Sequence, residues 1–381
     1  MKRLEFVFFD AGGGHRSSAN ALREVIDQQG RGWEIRLMNL QEVLDSLDIF
    51  RKLTGIRLQD LYNLMLKKGW TLGSPYLTRA MHGVIRLYHP LQVRLLRDYW
   101  ARSRPDMVVS LVPNFNRALG ESLRAACPGV PLVTILTDLA DWPPHFWIER
   151  QKQFIVCGTE RAVHQARQLG HPEWAVFRTS GMILNPKFYR PIFTDRAEGR
   201  RNLGLDADRR TALVLFGGEG SQVMREIARR LDASGLRLQL ILVCGRNAPL
   251  AASLRNLPRR IPMFVEGFTQ TIPEYMHLSD FFIGKPGPGS ISEALAMRLP
   301  VIVERNAWTL PQERYNADWI LEKQVGLVLR NFRKIDQAAA KLLEPATYCR
   351  FRSNAASLLN RAVFEIPDIL EKIFETCGNC H

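Results

Sequence analysis

Two apolar runs in this chain end in glycine clusters where chemistry could be done. Leu4–Phe9 leads into Gly12-Gly13-Gly14-His15, and Thr211–Phe216 leads into Gly217-Gly218-Glu219-Gly220-Ser221. A strand that ends in glycines and opens a helix leaves free backbone N–H groups at the positive end of the helix dipole, which is an anion site. Gly13 and Gly14 are the candidate anion contacts in the first loop; Gly217, Gly218, Gly220 and Ser221 are those in the second. A tight turn would use the same residues, so neither loop decides the matter alone. His15 adds an imidazole at a helix start, near where an anion would sit and able to accept a proton close to neutral pH. A lone histidine at such a place can equally be an N-cap or a solvent-facing side chain.

A third stretch is richer. Gly284-Lys285-Pro286-Gly287-Pro288-Gly289-Ser290-Ile291-Ser292-Glu293-Ala294 reads as a strand end, a nest of backbone N–H groups and a helix. Ser290 and Ser292 are expected to cap that helix, with Glu293 in its first turn facing a ligand. A carboxylate beside a phosphate-binding turn suits the two hydroxyls of a ribose; a helix start with an acidic residue complementing the dipole is the plainer reading. Downstream, Gln312, Glu313 and Asn316 place amide and carboxylate groups after another strand end, where loops of an open α/β sheet face the ligand crevice.

The elements that must carry these residues are α/β. Behind Leu4–Phe9 the helix-like Ser17–Gln28 keeps Ala19, Leu22, Val25 and Ile26 on one face, and Gln222–Leu231 follows the second glycine cluster. Short β-branched strands alternate with helical segments in both halves: Met107–Leu111, Leu132–Leu136 and Phe154–Cys157, then Leu238–Val243, Met263–Val265, Phe281–Ile283 and Val301–Val303. Two Rossmann-like domains in tandem are expected, over residues 1–190 and 205–345, with a boundary in Asn185–Arg210, where Pro186, Pro191, Gly199 and many charges break the pattern. Ala346–Glu375 reads as a closing helical segment. Between Asp45 and Arg104 the expected second and third strands are missing, replaced by a basic helical stretch.

Composition narrows the class. With 381 residues, 46% apolar and 24% charged, the chain is globular and long enough for two cores, and a disordered chain or a disulfide-stapled miniprotein is excluded. No apolar run approaches the ~20 residues that cross a bilayer. The N-terminus meets polar and glycine residues too early for a secretory signal, so a cytoplasmic location is expected. Scattered cysteines fit reduced core thiols. Cys377-Gly378-Asn379-Cys380-His381 formally matches a haem-attachment motif; a haem would need export and a second axial ligand, and a zinc site would need a second ligand pair, so both are set aside. The net charge is +14, and residues 51–104 hold eleven Lys or Arg against two Asp, so that most of the excess is local.

Taken in order, Gly-Gly-Gly-His, Thr137-Asp138, Gly-Gly-Glu-Gly, Cys-Gly-Arg-Asn (244–247), Glu266-Gly267-Phe268, Lys-Pro-Gly-Pro-Gly-Ser-Ile-Ser-Glu-Ala and Gln-Glu-x-x-Asn resemble the monogalactosyldiacylglycerol synthase branch of glycosyltransferase family 28. That family also contains the enzyme that adds N-acetylglucosamine to lipid I of peptidoglycan. The resemblance covers roughly residues 5–330. It implies a GT-B fold, two Rossmann-like domains facing across a cleft, with a C-terminal helix (355–381) packing back on the first. It implies an inverting transfer of a hexose from a UDP-sugar to a membrane lipid, diacylglycerol first, with domain closure excluding water. His15 then matches the catalytic base and Asp138 a second candidate base or an orienting partner. Gly217, Gly218, Gly220 and Ser221 would approach the diphosphate, Phe268 and Thr269 would border the uracil, and Gly287, Gly289 and Ser290 would bind phosphate. Glu293 would hold the ribose, while Gln312 and Glu313 would contact the hexose. No cofactor and no metal are expected, because enzymes of this fold commonly stabilise the leaving diphosphate with backbone N–H groups.

On the same resemblance the basic segment 51–104, with Trp70, Tyr76, Tyr88 and Trp100 among its cations, suits docking on an anionic membrane surface at the cytoplasmic face. Its plainer reading is a solvated helical layer. The family pattern breaks after Thr137-Asp138, where Ala140-Asp141-Trp142-Pro143-Pro144-His145-Phe146-Trp147 stands in place of a His-Pro-Thr-Trp-like element. Alternatives are another lipid-linked or small-molecule acceptor, a UDP-sugar 2-epimerase, and a sugar-nucleotide sensor without catalysis. A nucleic-acid-binding protein would explain the charge but not the ordered glycine motifs, and no nucleic-acid module is recognised.

Overall fold

A computed structural model describes residues 1–10, 14–44, 87–307 and 309–378. These residues form two compact units: 1–186 together with 360–378, and 187–359.

In the first unit six parallel strands are ordered β2-β1-β3-β4-β5-β6. They are β1 Arg3–Phe8, β2 Glu34–Asn39, β3 Met107–Ser110, β4 Leu132–Ile135, β5 Phe154–Cys157 and β6 Val176–Arg178. The central strands are apolar on both faces because helices cover both sides, as parallel sheets require. On one of its faces Val7, Val108, Leu119, Leu123, Leu96 and Trp100 share a core. Helix Gly14–Gln28 buries Ala19, Leu22, Val25 and Ile26, the predicted face. It packs against helix Ala362–Gly378, and Trp33 meets Phe374 edge-on at 5.8 Å between ring centroids.

Two expectations change here. The second strand is present: Glu34–Asn39 pairs in register with β1, Arg3 opposite Glu34 and Phe8 opposite Asn39. It lies upstream of the basic segment, and its alternating Glu34 and Arg36 sit on a half-exposed sheet edge. Of the basic segment, residues 51–86 lie outside the described residues; the rest is mostly helix His89–Ser103, with Arg94, Arg97 and Arg102 exposed along it. Trp100 does not belong to that exposed face. It is fully buried, and its Nε1 donates to Ser122 Oγ at 2.9 Å.

The second unit repeats the plan, with the order β12-β11-β10-β7-β8-β9. Its strands are β7 Arg210–Leu215, β8 Leu238–Val243, β9 Met263–Glu266, β10 Phe281–Gly284, β11 Val301–Glu304 and β12 Gly326–Leu329. This is the doubly wound Rossmann order, with its switch between β7 and β10. The closing helical segment is two helices, Pro345–Ser357 and Ala362–Gly378, and only the first belongs to this unit.

Asp280, at the foot of β10, ties the charged stretch before β7 to the sheet. Its Oδ2 accepts from Arg200 Nη2 at 2.9 Å and from the Thr211 backbone N–H at 2.8 Å. Arg200 is itself buried, and it also donates to the carbonyls of Leu278 and Ala207, each at 2.9 Å. Removing one member of such a pair strands a buried charge. Asp280→Ala is therefore expected to cost about 3–5 kcal/mol of stability, read as a lowered denaturation midpoint, whereas Asp206→Ala beside half-exposed Arg209 should shift it by well under half of that.

Candidate functional site

In a parallel sheet the loops after the strands open on one edge, and a crevice forms where successive connections leave in opposite directions. The predicted residues cluster at these points in each unit.

In the first unit the switch lies between β1 and β3. The loop after β1 delivers Gly14 and His15 to the start of helix Gly14–Gln28; Gly13 lies outside the described residues. The His15 ring meets the backbone of Leu111, which follows β3. Its Nδ1 lies 3.2 Å from Thr137 Oγ1, beyond β4. The ring of Trp147 stands 5.9 Å from it between centroids. Burial of the ring lowers the His15 pKa to about 4, and the Leu111 hydrogen bond opposes this only in part. The positive end of the helix acts in the same direction as burial. His15 is thus a neutral imidazole at neutral pH, able to accept a proton.

Asp138 is buried, and its Oδ2 accepts from Trp147 Nε1 at 2.9 Å. Trp147 therefore touches both candidate bases. Its position is fixed by residues that sequence reasoning did not single out. Asp141 accepts from the backbone N–H groups of Trp147 (2.7 Å) and His145 (3.1 Å), so one carboxylate folds the 141–147 loop. Asn116 donates to the carbonyls of Trp147 and Val112, at 2.9 and 3.0 Å, and accepts from Ser110 Oγ at 2.5 Å. A buried asparagine with this many partners is a framework residue. The one available signal was a polar residue amid an apolar strand-to-helix connection.

In the second unit the loops after β7, β8 and β10 converge. Gly217 and Gly220 have φ of 74° and 61°, the left-handed region that glycine tolerates. The approach is close: a Cβ on Gly245 would lie 2.1 Å from the Gly218 carbonyl oxygen, and one on Gly220 2.6 Å from that of Cys244. The Arg246 N–H donates to the Gly218 carbonyl at 2.8 Å, joining the two turns. The Arg246 guanidinium lies 4.5 Å from the ring centroid of Phe268, which is 56% exposed and free to stack on another flat group. Thr269 Oγ1 is 2.8 Å from Thr271 Oγ1, and Ser221 Oγ accepts from the Val223 N–H at 3.4 Å.

Helix Pro288–Ala296 has Gly287 as its N-cap, with no side-chain cap. Ser290 and Ser292 therefore lie inside the helix rather than capping it, and Glu293 falls in the second turn, not the first. Proline at the first position already supplies the helical φ and lacks the N–H that a cap would satisfy. Gly289 faces open space. Burial pushes the Glu293 carboxyl up to about 7, with the Lys187 charge opposing. Gln312 and Glu313 share the short turn Pro311–Glu313. Glu313 Oε1 is ion-paired with Lys285 Nζ at 2.8 Å. Asn316 is fully buried, and its Nδ2 donates to the Pro286 carbonyl at 2.8 Å, fixing the glycine–proline turn to the following helix.

Among the described residues no helix is long and apolar enough to cross a membrane. Residues 211–362 match the glycosyltransferase family 28 C-terminal domain. The chain is 28% identical over 399 residues to a probable monogalactosyldiacylglycerol synthase 2 of Oryza sativa subsp. japonica, covering 98% of this chain and 81% of that protein. It is 26% identical over 370 residues to monogalactosyldiacylglycerol synthase 1 of Arabidopsis thaliana, covering 91% of this chain and 66% of that protein, just under two thirds of its length. In structure it is similar to Acinetobacter baumannii MurG, with a TM-score of 0.64 at 13% identity over 98% of this chain and 100% of that one. The glycosyltransferase SnogD of Streptomyces nogalater gives 0.60 at 16% identity, over 97% and 100%. The fold is GT-B.

The depressed His15 pKa has a direct check. In an NMR titration the His15 ring should titrate near pH 4, well below the usual 6.5. Trp147→Ala, which opens the ring to water, should move the midpoint upward. A wild-type midpoint near 6.5 would contradict the burial argument.

Proposed function

We propose that this glycosyltransferase, related in sequence to monogalactosyldiacylglycerol synthases, transfers a hexose from a UDP-sugar to diacylglycerol with inversion at the anomeric carbon. The observation that carries this reading is the convergence of Gly217, Gly218, Gly245, Gly287 and Glu313 at the switch point of the second sheet, in a chain related to those synthases over nearly its whole length.

The donor is assigned to the second unit. Its diphosphate meets the backbone N–H groups of the Gly217–Ser221 and Gly287–Ser290 turns, with Gly289 on the open side. Phe268 and Thr269 border the uracil, Glu293 accepts from the ribose hydroxyls, and Gln312 and Glu313 face the hexose. The acceptor hydroxyl is assigned to the first unit, beside His15. Neutral His15 takes the hydroxyl proton as the oxygen attacks the anomeric carbon, and the electron pair of the breaking bond leaves with UDP. Asp138, held on Trp147, orients this corner or serves as the base itself. The exposed Leu87 and Leu91 next to Arg94 and Arg97 suit contact with an anionic lipid surface.

Incubation with UDP-galactose or UDP-glucose and diacylglycerol in anionic liposomes should yield monoglycosyldiacylglycerol and UDP. His15→Ala should lower kcat by on the order of 10²–10⁴. No turnover with any UDP-hexose and lipid would sink the reading, while full activity of the variant would remove only the assigned base.

The Glu293 carboxyl sets a pH dependence. It accepts ribose hydroxyls best when ionised, so UDP affinity should fall as pH drops through about 7. Glu293→Gln should bind more weakly at high pH and lose that slope. A flat wild-type profile between pH 6 and 8 would argue against the ribose role.

A further inference from the structure

Resting on the donor assignment above, we propose that Lys285 is the cation that binds the donor diphosphate, and that Glu313 holds it in place between turnovers.

Lys285 is the first residue beyond β10, at the switch point itself. Its stem crosses both glycine turns: a Cβ on Gly287 would lie 3.3 Å from Lys285 Cε, and one on Gly217 3.8 Å from the same atom. A side chain at Gly287 would crowd the lysine stem, and one at Gly217 would lie in ordinary contact with it. The ammonium is fixed from behind. Glu313 has a side chain only 11% exposed, whereas that of Lys285 is 41% exposed. The carboxylate is the buried, stationary partner, and the lysine reaches it from the solvent side.

The electrostatics of a donor at this place require such a cation. A diphosphate brought to the Gly217 and Gly287 turns would lie beside the Glu313 carboxylate, which would repel it. An ammonium between them reverses the sign, and its three N–H donors allow one bond to Glu313 to persist while others reach phosphate oxygens. Arg246, the other cation at the glycine turns, is stacked on Phe268 and lies 3.6 Å from Glu219, on the base side of the proposed pocket. During transfer the bond from the anomeric carbon to the diphosphate oxygen breaks, and its electron pair moves onto that oxygen. Lys285 keeps its proton and stabilises the growing charge, the kind of preorganised contact that matters most in the transition state. The Asn316 bond to the Pro286 carbonyl keeps the turn from following the lysine when it moves.

The test is the affinity of the full chain for UDP and UMP, which differ by one phosphate. Lys285→Met should weaken UDP by on the order of 10- to 100-fold, the range of a lost charge-assisted bond, and weaken UMP much less. Lys285→Arg should recover part of the loss. Glu313→Gln, which removes the competing carboxylate charge, should leave UDP affinity equal or stronger while hexose transfer falls. If Lys285→Met folds poorly, Lys285→Gln gives the same comparison with a neutral donor in place. Equal losses for UDP and UMP would mark Lys285 as structural and overturn the assignment, as would undiminished UDP binding. Wild-type protein that binds neither nucleotide would remove the donor reading itself, and this assignment with it.

Discussion

A parallel sheet sends every strand's carboxyl end to the same edge, and that constraint governs the chemistry of this chain. Residues far apart in sequence become neighbours only because each follows a strand. His15 follows β1, Leu111 follows β3, and Thr137 follows β4; the imidazole meets Thr137 across 122 residues of sequence. In the second unit the same geometry brings the turns after β7 and β8 into backbone contact, and the Lys285 side chain reaches the first of these from the turn after β10. The buried Arg200–Asp280 pair works at the opposite edge, where it secures the start of β7 to the start of β10. Its contribution to the site is indirect: it fixes which two strands flank the switch.

The sequence made the interior legible and the edges obscure. Strands β3, β4, β5, β7, β8 and β10 are mostly apolar because helices cover both of their faces, and such runs are easy to recognise. The strands that escaped, Glu34–Asn39, Val176–Arg178 and Gly326–Leu329, each lie at the outer edge of a sheet. There one flank is wet, the run is short or interrupted by charge, and periodicity weakens. The candidate site divides in the same manner. Glycines that must adopt positive φ or approach another backbone announce themselves locally, as Gly217 and Gly220 do. Asn116, Asp141 and Trp147 do not, because what they do depends on partners that only tertiary structure supplies. The capping serines failed for a local reason instead: Pro288 moved the helix start ahead of them.

The two units manage charge in opposite ways. In the first, burial holds an imidazole neutral and an indole N–H engages the nearby carboxylate. In the second, cations and acids stand together at the strand ends, Lys285 with Glu313 and Arg246 with Glu219. Such pairing leaves neither sign unopposed at these turns. The likeness to MurG and SnogD establishes the GT-B scaffold that both arrangements share, and a scaffold does not select a substrate.

The loop 140–147, where the sequence leaves the pattern it otherwise resembles, couples two titratable side chains through one indole. Asp141 spends its carboxylate on backbone N–H groups inside that loop, and burial raises its pKa even against those bonds. The loop is therefore shaped from within, independently of any ligand. What it turns inward is Trp147, fully buried, with its Nε1 on Asp138 and its ring 5.9 Å from that of His15. The imidazole at its helix start thus stands beside an indole whose place the loop's own hydrogen bonds fix. A buried indole at this distance helps keep water from the imidazole. The side chain that dries the imidazole therefore also engages the Asp138 carboxylate, and the two groups cannot be tuned independently in this architecture.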